Sequence, residues 1–407
     1  MPRRIGLYLG TAPTNGGLFQ YGRTMLDAVA SLPRDRFSVV VAYSSEVWKS
    51  RVDDVGLPSV HIPRTTTARV LHRAVGLGGL PWDWWRAISA RIYPAAGGLR
   101  AEKMDLWVFP AQDALGYQSG VPALSTVHDL MHLYERRFPE VGSTLEFAYR
   151  QRHYAAICRY SRGVLVDSNC GKRQLVESYG IAPEKVHVLP FVAPRPISAD
   201  DLDGGDTAAR TFVSSLPEKF FFYPAQFWRH KNHVAILRAM AMLRESAPDM
   251  RMVFVGADKG EYASVVREVH QQGLEDRVLF LGFVPDAHIG LLYTRARALV
   301  MPTFLGPTNI PPLEAFAAGC PVAVSNVYGM PEQVGDAALT FDPADVAQLA
   351  GVMLQLWTND GLCAELSRRG LVRSRLSEQD RMNARLLEIL DVLVGSRPGL
   401  GADCGRI

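Results

Sequence analysis

The chain is poor in cysteine, has no long apolar run and carries little net charge. Its five cysteines (Cys158, Cys170, Cys320, Cys363 and Cys404) are scattered, with no C-x-x-C pair and no even framework. That spacing argues against a disulfide scaffold or a zinc ribbon and fits reduced thiols in a cytoplasm. No apolar segment approaches the length that crosses a bilayer, and the N-terminal MPRRIGLYLG holds only a strand-length run. Neither a spanning helix nor a secretion signal is therefore expected. A formal charge of +3 on 407 residues is too small to mark a nucleic-acid binder. G-x-G-x-x-G is absent, so there is no dinucleotide fingerprint.

What the chain does have is 48% apolar residues against 21% charged, over a length that suits two domains with full cores. Continuous apolar runs (Ile5–Leu9, FSVVVAYS, PSVHIP, DLWVFPAQ, PALSTV, GVLVDSN, KVHVLPF) alternate with helical patterns. Such runs are the mark of parallel strands buried on both faces, hence an α/β fold. A second series begins at FFFYPAQ and continues through MRMVFVG, VLFLGF, ALVMPTF and PVAVSN. Between the two series, Val192 to Glu218 is rich in proline, aspartate and glycine. The expected division is a first domain over 1–195, a linker over 196–217, a second domain over 218–375, a final helix over 376–394 and a tail without order over 395–407. Asp201-Leu202-Asp203 forms a D-x-D inside the linker, where turn chemistry accounts for it.

The most informative stretch runs from Leu299 to Asp336. A buried strand leads through a Gly306-Pro307 loop into a helix opened by Pro311-Pro312, whose missing N–H groups cost nothing in a first turn. Unpaired amides and the positive helix end then aim at one point, which suits a phosphate. Glu314 lies close enough to accept bonds from ribose hydroxyls. Gly16-Gly17 follow the first strand and permit close approach of a backbone. His128-Asp129 fall just past a strand, at the carboxyl end where open sheets place their sites. His128 and His132 make an H-x-x-x-H, but position 129 is aspartate and no third ligand stands near, so no metal is expected. Asp286 is placed to cap the helix that follows Pro285.

These residues carry a resemblance. Glu314-Ala315 match the second half of Glu-Gly-Phe-Gly-x-Pro-x-x-Glu-Ala, the signature of the retaining GT-B glycosyltransferases of family 4 (group 1). Gly306 stands where the first glutamate of that pattern normally lies, and that glutamate usually touches the donor sugar. Lys231-Asn232 resemble the family's Lys-Asn at a helix start, and His128 its V-H-D-L histidine beside the donor sugar. The resemblance implies two Rossmann-like domains facing across a cleft, with the C-terminal helix returning to the first. It implies a metal-independent hexosyltransferase with no cofactor beyond a nucleoside-diphosphate sugar. Lys231, with Arg229 as a second candidate, would neutralise the diphosphate together with the amides of Gly306, Thr308, Asn309 and Ile310. Glu314 would hold the ribose, and His128 would contact sugar or acceptor. The Gly16-Gly17 loop would border the phosphates, and the main chain of Phe283-Val284 would edge the base. G-P-T-N-I-P-P-L-E-A is similar to enzymes of bacterial surface-polysaccharide assembly, so GDP-mannose or a deoxyhexose nucleotide is the expected donor and a glycan or lipid-linked hydroxyl the acceptor. A sugar-nucleotide epimerase and an inactive nucleotide-sugar-binding scaffold are the alternatives.

One further stretch, Arg64 to Lys103, interleaves basic residues with Trp82, Trp84, Trp85 and Tyr93. It reads either as a contact with an anionic membrane surface or as a solvated helix with inward tryptophans. The expected location is cytoplasmic, peripheral on the inner leaflet if that contact exists.

Overall fold

A computed structural model describes residues 1–13, 16–63, 70, 71, 73–75, 81–192, 212, 214 and 216–395. The linker sequence from 193 to 211, the tail from 396, and Arg64 and Arg69 lie outside the described residues. The apolar runs do form strands, in two all-parallel sheets.

The first sheet holds β1 (Arg3–Leu9), β2 (Phe37–Tyr43), β3 (Ser59–His61), β4 (Leu106–Phe109), β5 (Ala123–Thr126), β6 (Gly163–Val166) and β7 (Val186–Val188). Its order is β3-β2-β1-β4-β5-β6-β7. The second holds β8 (Phe221–Pro224), β9 (Met252–Val255), β10 (Val278–Phe280), β11 (Ala298–Met301), β12 (Val322–Ser325) and β13 (Leu339–Phe341), ordered β10-β9-β8-β11-β12-β13. In each sheet the strand order reverses beside the first strand, between β1 and β4 and between β8 and β11. Loops leaving the carboxyl ends diverge there and leave a crevice, the usual place for a ligand in open α/β sheets.

The helices follow local signals. Ser143 and Ser168 accept hydrogen bonds from the amides of Glu146 and Gly171 and so start the helices Thr144–Tyr160 and Asn169–Tyr179. Gly180 ends the latter in the left-handed conformation. Asp286, expected as a cap, is instead the first residue of helix Asp286–Arg295, and Pro285 occupies the cap position.

The last helix, Gln379–Gly395, returns to the first sheet. Its Leu386, Ile389 and Leu390 are almost wholly buried in the same core as Ile5, Leu7, Met25 and Val29. Each such side chain contributes roughly 1.5–3 kcal/mol relative to exposure.

Candidate functional site

The loops that carry the predicted site residues leave the carboxyl ends of strands and meet between the two sheets. After β8 the chain makes a single turn, Arg229–Lys231, closed by Asn232 in the left-handed region at φ 59°. Asparagine tolerates that conformation, and its carboxamide donates to the carbonyls of Pro302 (3.2 Å) and Pro343 (2.9 Å). The turn is thereby fixed, and Lys231 Nζ reaches Asn309 Oδ1 at 3.3 Å. Asn309 immediately precedes helix Ile310–Ala317. The ammonium group and the helix start therefore share one crevice. Burial pulls the Lys231 ammonium down to about 8.

Asn309 is held from several sides. Its amide donates to Gln333 Oε1 (3.0 Å), its carbonyl accepts from Gln333 Nε2 (2.6 Å), and its Nδ2 lies 3.2 Å from Met330 Sδ. Of the amides expected to cradle phosphate, that of Asn309 is thus already taken. Those of Gly306, Thr308 and Ile310 have no protein acceptor among the described residues. Pro311 and Pro312 follow directly, so the helix offers few other donors.

Gly306 has a structural reason. Its φ of 137° suits glycine, and a Cβ there would lie 2.2 Å from Asn309 Nδ2. The glutamate of the family pattern could not stand at this position without displacing the asparagine that meets Lys231. Glu314, one turn into the helix, is half-buried and accepts from the Tyr293 hydroxyl at 2.7 Å. It is not sealed in apolar packing.

The first domain supplies the facing wall. A side chain added at Gly17 would begin 3.4 Å from Ile310 Cδ1, so the Gly16-Gly17 loop abuts the start of the second-domain helix. His128 is buried, stacked on Phe191 (5.6 Å) and edge-on to Tyr21 (5.0 Å). Its Nε2 lies 2.8 Å from the Pro110 carbonyl, which can only accept, so that nitrogen carries the proton. Burial lowers its pKa, and the neutral ring keeps Nδ1 as an acceptor. His132 is spent elsewhere, its Nε2 3.2 Å from the Tyr179 hydroxyl. A cavity of about 490 Å³ opens beside Ile310, lined also by Tyr21, Phe191 and Gln379.

Three predicted residues, Arg229, Phe283 and Val284, make no side-chain hydrogen bond to Lys231 or Asn309 among the described residues. Arg229 turns out onto the rim of a separate cavity, whose lining includes neither Lys231, Asn309 nor Glu314. Phe283 is 87% exposed on the loop after β10, beside buried Val284.

The sequence reading missed Asp167. It follows β6, is buried, and its Oδ2 is 2.6 Å from Thr308 Oγ1 across the seam between domains. Burial raises its pKa to about 7, with the Asp129 carboxylate adding to the rise and the Thr308 hydroxyl opposing it. Its signal was present, as the lone acid ending the apolar run VLVDSN. Other carboxylates also stitch the seam. Glu332 accepts from the amide (3.0 Å) and Nδ2 (2.7 Å) of Asn169, Glu135 from the Tyr328 hydroxyl (2.6 Å), and Glu140 from the amide of His230 (3.1 Å).

Two parallel sheets facing across a cleft, with a lysine and open amides converging at a helix start, have the architecture of the GT-B glycosyltransferases. Comparison with known proteins agrees. Residues 21–191 match the model of Glycosyltransferase Family 4, and residues 208–372 that of Glycosyl transferases group 1. The chain is 33% identical over 257 residues to O-antigen chain mannosyltransferase B of Escherichia coli, covering 60% of this chain and 68% of that protein. It is 25% identical over 277 residues to the mannosylfructose-phosphate synthase of Agrobacterium fabrum, covering 63% of this chain and 60% of that one. Anabaena HepE, solved in complex with UDP and glucose, superposes with a TM-score of 0.69 at 17% identity, over 96% of this chain and all of that one. The chain belongs to the group 1 glycosyltransferases of family 4.

Proposed function

We propose that the protein transfers a hexose of the mannose or deoxyhexose type from a nucleoside-diphosphate sugar to a hydroxyl of a glycan or lipid-linked acceptor, with retention of configuration. The observation that carries this reading is the meeting of Lys231 with the residue before helix Ile310–Ala317, beside the unclaimed amides of Gly306, Thr308 and Ile310. A leaving diphosphate develops charge as its bond to C1 breaks, and fixed positive groups at that point lower the barrier. The acceptor oxygen bonds C1 on the face the phosphate leaves, and its proton passes to the departing β-phosphate oxygen. Glu314, one turn into the same helix, would accept from the ribose hydroxyls of that donor. The mannosyltransferase relative supports mannose as the sugar moved, and the expected donor is then GDP-mannose. Lys231 and the amides supply the positive charge in this scheme, so turnover is expected to survive EDTA.

The test is turnover of a nucleotide-sugar panel with and without acceptor. Acceptor-dependent release of the nucleoside diphosphate supports transfer. Epimerisation of the donor without acceptor points to an epimerase, and binding without any turnover to an inactive scaffold.

The acceptor side includes a surface suited to lipid. On helix Trp82–Ile92, Trp84 (73% exposed), Ile88 and Ile92 follow at four-residue spacing and form one outward apolar stripe, while Trp85 packs inward on Tyr93. Arg91 is exposed on the same helix, whereas Arg86 lies over the Tyr160 ring and donates to the Tyr117 carbonyl. The tryptophans thus divide between the two readings of this stretch. Arg91 beside this stripe supports an anionic bilayer as its occupant. Flotation with vesicles containing anionic lipid is expected for the native chain and reduced for Trp84→Glu; equal flotation of both would remove the stripe from the argument.

A further inference from the structure

Arg229, on the turn Arg229–Lys231, lines a cavity that the proposed transfer does not use. Its volume is about 550 Å³, within the range of small-molecule sites. Trp228 and Phe304 of the second domain and Phe138 of the first form aromatic walls, and helix Tyr262–Gln272 lines the opposite side. Arg229 and Arg267 both border the cavity, are exposed, and have no carboxylate partner among the described residues. Arg238, also at the rim, is by contrast committed to Glu268 through two bonds of 3.0 and 3.3 Å.

His233 also borders the cavity, but its ring is stacked on Phe227 (4.5 Å), packed against Tyr223 (4.8 Å) and Phe254 (5.2 Å) and buried at both nitrogens, so it belongs to the floor and offers nothing to a ligand.

The lining combines groups that answer to different parts of one molecule. Unpaired guanidinium groups take an oxyanion. The Glu261 carboxylate, which lines the cavity as well, accepts from hydroxyls and would repel a bare anion. An indole face suits the C–H face of a sugar ring. We propose that this cavity is a second binding site, separate from the donor crevice, for an anionic monosaccharide, either a sugar phosphate or a hexuronate. Because Arg229 and Lys231 belong to one turn, and the intervening His230 amide is held by Glu140 of the first domain, occupancy is linked to the donor site and to domain contact.

The test is calorimetric titration of the full chain, saturated with a nucleoside diphosphate, using mannose 6-phosphate, glucuronate, inorganic phosphate and mannose as separate probes. Mannose 6-phosphate or glucuronate is expected to bind at least tenfold more tightly than phosphate or mannose, and which of the two binds identifies the anion. Arg267→Gln should weaken that binding at least tenfold, and Ser264→Leu, which fills the cavity from the same helix, should abolish it. Both variants should keep native melting and native nucleotide affinity. The proposal is overturned if neither anionic sugar binds, if the nucleotide displaces it, or if both variants bind as the native chain does.

Discussion

Two helix starts face the seam between the domains, and they are treated oppositely. At helix Asn169–Tyr179 the Asn169 amide is taken by Glu332, which also lies 3.4 Å from the Cys170 amide, and the Gly171 amide is taken by Ser168, so the positive end is filled by the protein's own carboxylate. At helix Ile310–Ala317 the cap residue makes no side-chain cap bond, the neighbouring amides are unclaimed, and the charged group at hand is a lysine. Both ends have the same dipole. One is closed by an internal anion that bonds across the domains, while the other keeps its amides unclaimed, as the proposed diphosphate site requires.

The sharpest way to break this contrast is to remove the lysine. Lys231→Ala is expected to lower kcat about 10²–10³-fold, as for loss of a transition-state charge donor, and to weaken nucleoside-diphosphate binding. Glu314→Ala should reduce donor turnover severely too, with a larger share in KM. Near-native rates in either variant would end the present assignment of the crevice. The open end should also be the pH-sensitive one. The Lys231 pKa near 8 means that the charged form is present below that value and lost above it. Affinity for a nucleoside diphosphate should fall up to about tenfold per pH unit above 8, read by titration at pH 7, 8 and 9.

A smaller effect is expected at Asp167. Its folded pKa near 7 exceeds the ordinary 3.8, so the folded state holds a proton that the unfolded state has lost. Stability should therefore fall as pH rises from about 4 to about 7, with the penalty fully present above that window, at most about 1.4 kcal/mol per unit. Asp167→Asn should flatten melting temperature across this window and raise it at neutral pH. Glu332→Gln is the mildest change, costing about 1 kcal/mol of dipole interaction and leaving nucleotide affinity unchanged. A loss of nucleotide binding in that variant would show that the two helix ends are not functionally separate.

Much of this was legible in the chain. Apolar runs such as GVLV and PVAV announced strands because both faces of a parallel sheet are covered, and Lys231-Asn232 and Pro311-Pro312 marked the crevice through local backbone requirements. The seam was not legible. Asp167 meets Thr308, and Asn169 meets Glu332, across chain separations that no periodicity encodes. That Arg229 lines a different cavity from the crevice of Lys231, two residues on, is likewise something composition cannot reveal. Gly306 appeared as a lost glutamate, and only the position of the Asn309 carboxamide shows that the space was reassigned.

The returning helix has a consequence for biogenesis. Met382, Leu386 and Ile389 complete a wall of the first domain's core, yet they are translated only after the whole second sheet. While the second domain is being made, its predecessor must wait with an open apolar flank. Synthesis halted before this helix would leave that flank uncovered and the product prone to aggregate, so the amino-terminal half depends on a segment made long after it.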